Sequence, residues 1–340
     1  MKQIVRSQSI YNTPASKTLA IYCTTKCQLN CYYCDFGNGT YTSCDDLSVR
    51  KLQKFINIYD KLTHVSQRYK SRLPEHDTET INSHYNVALT GGEPTYNNNI
   101  IDIIDILAHS KNIKVIYIFT NGQADIDIYK HIAQICNTNN KIYKIIFSYH
   151  FNLINNSKMF LNKLSILNEN NINCELRLIV DPLNVTSQVK SDIEYFVDND
   201  KYHILKEISY ITGHGLCSDT YIGSIKKQLD DKSSYGYIKV TYDDGSTEIL
   251  SVSYIQSLNY NPFKGMYCES MYKHHAIMPK DYDLYPWCYS PNQIKQLPKF
   301  RKCFSESMVK DYISFIRCNY FTCQLDICKR VICILSRKWR

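Results

Sequence analysis

Between residues 18 and 211, short apolar runs alternate with longer amphipathic segments, and this alternation limits the fold more than any other feature of the chain. Residues 18–23, 85–90, 113–119, 142–148, 174–180 and 204–211 read as strands, the fifth stopped by Asp181-Pro182. Residues 47–69, 100–109, 126–136 and 159–168 read as helices, with Ile101, Ile104 and Leu107 along one inward face and Leu161, Leu164 and Ile166 along another. Strands met in this order, with helices between them, must run parallel and be joined by right-handed crossovers. Pattern alone allows a doubly wound sheet or a partial barrel. In both, ligands gather at the carboxyl ends of the strands.

The rest of the chain reads differently. Residues 75–84 look like a polar insertion ahead of the second strand, and 212–235 like an irregular connection. Residues 237–255 read as a hairpin turning at Asp243-Asp244-Gly245, with Ile238, Val240 and Tyr242 alternating before the turn. A second hairpin is expected at Ala276-Ile277-Met278 and Leu284-Tyr285-Pro286-Trp287, turning at Pro279-Lys280-Asp281. Beyond Cys268 the composition shifts: seven of the 15 cysteines lie from there onward. Small regions with little core commonly need such metal staples. A length of 340 residues accommodates one large α/β domain and a smaller one.

Cys27, Cys31 and Cys34 follow the first strand with the spacing C-x3-C-x2-C. Three thiolates on one tight loop can each take a different iron of a four-iron cluster, which leaves the fourth iron open to a small molecule. After the second strand comes Gly91-Gly92-Glu93-Pro94, whose glycines permit close backbone approach and whose carboxylate can accept from an ammonium group.

The cysteine spacing, Tyr33 before the third cysteine and the Gly-Gly-Glu-Pro loop together resemble the radical S-adenosylmethionine (SAM) enzyme superfamily. That resemblance implies a partial (β/α)6 TIM-like barrel over residues 17–211, open where substrate enters. It implies a [4Fe-4S] cluster on Cys27, Cys31 and Cys34 whose open iron binds SAM. The reduced cluster of such enzymes cleaves SAM to methionine and a 5'-deoxyadenosyl radical, which abstracts hydrogen from the substrate. Residues expected near SAM are Tyr33, Gly91, Gly92, Glu93, Pro94, Thr120, Asn121, Ser148 and Arg177. Thr120, Asn121 and Ser148 serve equally well as loop caps, and Arg177 as partner of a structural acid. His150 and His214, beyond the fourth and sixth strands, are candidates for acid, base or substrate contact.

The cysteine-rich end, residues 268–335 after a connecting segment 212–267, is similar to the twitch/SPASM auxiliary-cluster region of that superfamily. It departs from the tight SPASM run, so one auxiliary [4Fe-4S] cluster is expected, on Cys268, Cys288, Cys318 and Cys323. Cys303, Cys328 and Cys333 compete for those places, because Cys318, Cys323, Cys328 and Cys333 recur every five residues and cannot share one helix face. Zinc is the alternative occupant. Cys23, Cys44, Cys136, Cys174 and Cys217 read as buried or incidental thiols.

The resemblance implies an oxidoreductase that modifies a peptide or protein by oxidation or cross-linking, with small carbohydrates or nucleotides as the alternative substrates. An external donor such as a flavodoxin or ferredoxin would supply the electron. A reading from another class is an iron-sulfur or zinc module that binds nucleic acid, motivated by a formal charge of +8 and by Lys329, Arg330, Arg337, Lys338 and Arg340 near the end. Two clusters would bring that charge to about +5, and dispersed charge with a solvated basic tail argues against a nucleic-acid partner. No apolar run is long enough to span a membrane and no cleavable leader is evident, so a cytoplasmic protein is expected, with its thiols reduced and available to metal.

Overall fold

The structure, a computed structural model, describes residues 2–9, 18–38, 45–62, 84–151, 153–154, 156–211, 217–232, 237–258, 260, 262–263, 267–268, 274–279, 284–286 and 338–339. Six parallel strands form its centre: β2 (Thr18–Thr24), β3 (Tyr85–Gly91), β4 (Ile113–Thr120), β5 (Ile142–His150), β6 (Cys174–Val180) and β7 (Leu205–Tyr210). Each pairs with the next in sequence, and the order never reverses. A doubly wound sheet needs such a reversal to place helices on both faces. Without one, right-handed crossovers put every connecting helix on the same side, leaving the other face concave. The topology is therefore that of a partial barrel.

The helices between these strands are α1 (Val49–Leu62), α2 (Ile100–His109), α3 (Ile126–Thr138), α4 (Ser157–Glu169) and α5 (Ser187–Asn199). Their buried residues recur at helical spacing: Ile100, Ile103, Ile104, Leu107 and Ala108 on α2, and Phe160, Leu161, Leu164 and Leu167 on α4. Ile101 and Ile166, expected inward, are only half-buried, because each buried stripe is phased one residue away from them. Side chains of Asp125, Asn156 and Thr186 cap the starts of α3, α4 and α5. The ends of α3 and α4 turn through left-handed Asn140 and Asn171. There Lys141 N bonds Cys136 O at 2.8 Å and Ile172 N bonds Leu167 O at 3.0 Å. Asparagine thus does what glycine usually does at helix ends.

Alternation along the strands decides what faces the concave side. On β5, Phe147 and Tyr149 turn outward into edge-to-face contacts with Tyr129, Phe160 and Phe196 of the helices, with centroids 4.8 to 6.3 Å apart. Lys144, Ser148 and His150 consequently face the other way. On β6, Cys174, Leu176, Leu178 and Val180 are buried, while Glu175, Arg177 and Ile179 are half-exposed. The outer face is packed and the inner face is open.

The first sheet continues beyond β2. The expected second hairpin is present as β11 (His274–Ile277) and β12 (Leu284–Pro286), antiparallel to each other, and β11 adds to β2 as a seventh parallel strand. A second, antiparallel sheet has the order β10-β13-β1-β8-β9, from β1 (Ile4–Ser9), β8 (Tyr237–Tyr242), β9 (Thr247–Ser251), β10 (Tyr267–Cys268) and β13 (Lys338–Trp339). The first hairpin is its β8/β9 pair, but residues 252–257 turn helical as α7 (Val252–Ser257).

Two sequence expectations are corrected. Residues 212–235 include a helix, α6 (Thr220–Lys232), whose Ile222 and Ile225 are buried and whose start is capped by Asp219. Lys338 of the basic tail is a strand residue, paired with Ser7 on one side and Cys268 on the other. The expected helix residues 63–69, the insertion at 75–83, His214, and Cys44, Cys288, Cys303, Cys318, Cys323, Cys328 and Cys333 lie outside the described residues. Among the described residues no helix is long and apolar enough to cross a membrane.

Candidate functional site

The cysteine loop leaves the carboxyl end of β2 and is tied off at its base. Thr24 bridges Asp46, Thr25 N bonds Asp45 O at 2.9 Å, and Leu47 N bonds Cys23 O at 2.9 Å. Asp46 holds both sides of the knot: its carboxylate accepts from Thr24 Oγ1 at 2.6 Å and from Lys26 Nζ at 2.6 Å. Residues 27–34 are thus held as a closed loop over the strand ends. Nothing in the sequence pattern marked Asp45 or Asp46.

The Gly-Gly-Glu-Pro loop packs directly on this base. Gly92 N bonds Thr24 O and Glu93 N bonds Lys26 O, each at 2.8 Å. Gly91 has φ +126°, and a Cβ there would stand 2.4 Å from Thr24 O. Backbone therefore meets backbone, and the glycines are required by the chain's own fold. Glu93 is buried, and its carboxylate accepts from Thr95 N at 3.0 Å, Thr95 Oγ1 at 2.6 Å, Thr120 Oγ1 at 2.8 Å and Asn121 N at 2.6 Å. Burial raises its pKa, and these donors offset part of the rise. The side chain braces the ends of β3 and β4 to each other. Pro94 is buried and opens a short 3-10 turn, Pro94–Tyr96.

Cys31 is buried, and Cys27 and Cys34 are half-buried. Burial pushes the Cys27 thiol up to about 11 and raises Cys31 as well; Leu29 N–H lowers Cys27 and the Tyr33 hydroxyl lowers Cys31, while the neighbouring thiols raise both again. Among the described residues no three His, Cys, Asp or Glu side chains close around one point as a single metal ion requires. A four-iron cluster asks for something else, one thiolate per iron, which a loop with one buried and two half-buried thiols can present. Cluster binding would displace the thiol protons.

Other predicted residues converge on this loop. Asn121 Nδ2 lies 3.8 Å from Cys27 Sγ, and its Oδ1 accepts from Gln28 Nε2 at 3.2 Å. Thr120 is turned toward Glu93, at 2.8 Å, and toward Tyr129 Oη of α3, at 3.1 Å. Tyr33 Oη lies 2.6 Å from His150 Nδ1, and that nitrogen is 3.8 Å from Cys31 Sγ. Burial lowers the His150 pKa to about 4, so the ring is neutral near pH 7. Tyr32 bonds Asp181, which also accepts from Asn184 Nδ2 at 2.5 Å, fastening the loop after β6 to the cysteine loop.

Below this rim the inner wall is polar. Arg177 Nε is 3.2 Å from Glu207 Oε2 without the alignment of a hydrogen bond, and the guanidinium lies over the Phe119 ring at 5.4 Å. Glu207 also accepts from Ser209. Burial would raise its pKa, but Arg177, Ser209 and Lys226 outweigh that and hold it below the usual carboxylate range. Lys144 and Glu175 pair at 2.7 Å, and Ser148 stands opposite Arg177 in the ladder. Arg177 thus pairs with an acid on the neighbouring strand. Cys23, Cys136 and Cys174 are buried, as expected, and Cys217 is half-buried.

Neither a family model nor a curated protein sequence matches the chain. Among solved structures, it is similar to anSMEcpe with bound AdoMet (S-adenosylmethionine) and the Cp18Cys peptide, at 14% identity over 92% of this chain and 87% of that one, with a TM-score of 0.47. It is similar to BtrN in complex with AdoMet and 2-DOIA, at 10% identity over 93% and 92%, with a TM-score of 0.44. It is also similar to HydG, a maturase of the [FeFe]-hydrogenase, at 15% identity over 58% of this chain and 43% of that one, with a TM-score of 0.35.

Proposed function

We propose that the chain is a radical SAM enzyme with a [4Fe-4S] cluster on Cys27, Cys31 and Cys34. The observation that carries the reading is the joining of the cysteine loop to the Gly91-Gly92-Glu93 loop, backbone to backbone, at the carboxyl ends of the first two parallel strands. A reduced cluster there supplies the electron for reductive cleavage of SAM. The chain's own residues do the rest. Asp46, Gly92 and Glu93 hold the loop in place, Asn121 and Leu29 N–H donate toward Cys27 Sγ, and the strand ends position the reactants. Tyr33, Ser148 and Arg177 line the approach to the inner face.

The substrate proposed is a peptide or protein, oxidised or cross-linked, with a flavodoxin-like or ferredoxin-like donor. One auxiliary cluster with Cys268 among its ligands completes the reading, and the cysteine-rich composition beyond residue 268 supports it. The test is anaerobic reconstitution with iron and sulfide, reduction, addition of SAM, and quantification of 5'-deoxyadenosine. Formation that disappears in Cys31→Ala is expected; equal formation in that variant overturns the reading.

A further inference from the structure

We propose that Tyr33 and His150 form a hydrogen-bond relay ending on Cys31 Sγ, and that its function is to set the reduction potential of the cluster. The inference rests on the cluster reading above and adds a role for two residues that contact the ligand from outside.

Three contacts define the relay. Tyr33 Oη and His150 Nδ1 are 2.6 Å apart, His150 Nδ1 is 3.8 Å from Cys31 Sγ, and the Tyr33 hydroxyl is near enough to the Cys31 thiol to lower its pKa. The Tyr33 and His150 rings lie nearly parallel, 14° apart with centroids at 6.1 Å. Cys31 is the buried member of the triplet, at 4% exposure, where water cannot substitute for a lost donor.

The direction of the bonds follows from the iron. A ligating thiolate carries no proton and can only accept, and Tyr33 has one proton to give. If that proton went to His150, a hydroxyl lone pair would face the thiolate. The favourable arrangement gives it to Cys31 Sγ, and Tyr33 Oη then accepts from His150 Nδ1–H. His150 therefore fixes which way the tyrosine points; it is a positioning residue. A donor on a ligating sulfur stabilises the added electron and raises the potential, as hydrogen bonds to cluster sulfurs do generally.

The test is the cluster midpoint by EPR-monitored redox titration without SAM, in wild type, Tyr33→Phe, His150→Phe and His150→Asn, with iron content measured in each. Tyr33→Phe is expected to disfavour reduction about tenfold, a fall of about 59 mV for one electron. His150→Phe is expected to move the same way, and His150→Asn, whose amide nitrogen can take the place of Nδ1, to return toward wild type. Loaded variants with unshifted potentials overturn the relay, even if their thermal stability falls. Should Tyr33→Phe take up no iron, equal potentials in the two His150 variants overturn it as well. A wild-type chain that takes up no cluster instead sinks the reading beneath it.

Discussion

Gly92 lies so close to Lys26 that a Cβ on the glycine would stand 2.0 Å from the lysine's carbonyl oxygen. Neither atom belongs to a flexible side chain. A Gly92→Ala protein is expected to push the two loops apart at a cost of about 1–3 kcal/mol, the scale of overpacking elsewhere. Urea unfolding gives the stability, and iron uptake reports whether the cysteine loop has moved; unchanged values in both would mean that the contact is slack.

Glu93→Gln keeps the shape of the brace but turns one accepting oxygen into a donor that faces other donors. The four bonds to Thr95, Thr120 and Asn121 cannot all survive. The expected loss is roughly 1–3 kcal/mol, and the variant should release iron faster than wild type during chelator challenge.

Glu207 ties stability to pH. Its folded pKa is below the ordinary 4.5, so the stability it contributes is present above 4.5 and is lost as pH falls through the folded value. Glu207→Gln is expected to cost about 1–3 kcal/mol at pH 7, because Arg177 is left half-buried without its acid. The gap to wild type should close in acid. A gap that stays constant from pH 7 to pH 3 would show that the carboxylate does not act through its charge.

The thiols give a test that needs no substrate. With Cys27 raised from 9.0 to about 11, its thiolate fraction in the metal-free protein at pH 8 is about a hundredfold below that of an unshifted cysteine. Alkylation followed by mass spectrometry should be correspondingly slow at Cys27, rise about tenfold per pH unit, and vanish after reconstitution. Fast alkylation at pH 8 would mean that the loop opens in the absence of iron.

The parts of the fold that read correctly from sequence are those fixed by local pattern. Cys174–Val180 and Ile100–His109 match their expected bounds because period-2 and helical alternation are strong there, with clear stops at either end. The order of the strands was not legible, since alternation leaves the winding open and only the unreversed pairing decides it. Thr220–Lys232 was missed because Ile222, Ile225 and Leu229 are diluted by polar neighbours. At the site, the cysteine triplet and the Gly-Gly-Glu-Pro run were visible as strings, but the contacts that hold them together were not. The glycines answer to Thr24 and Lys26, and Glu93 answers to the end of β4. Such meetings join residues far apart in sequence, and nothing in either string names its partner.

The placement of β13 has a consequence for how the chain is made. The five strands from β3 to β7 each pair with a neighbour already synthesised, so the curved sheet can assemble as it emerges from the ribosome. Ser7 cannot meet Lys338, nor Arg6 meet Trp339, until almost all of the chain has been translated. Until then β1 keeps one edge open, and the strand that carries Cys268 lacks its neighbour. Among the described strands, those of the second sheet are therefore the last that can all be paired, and their pairing signals that the residues between Cys268 and Lys338 are all in hand.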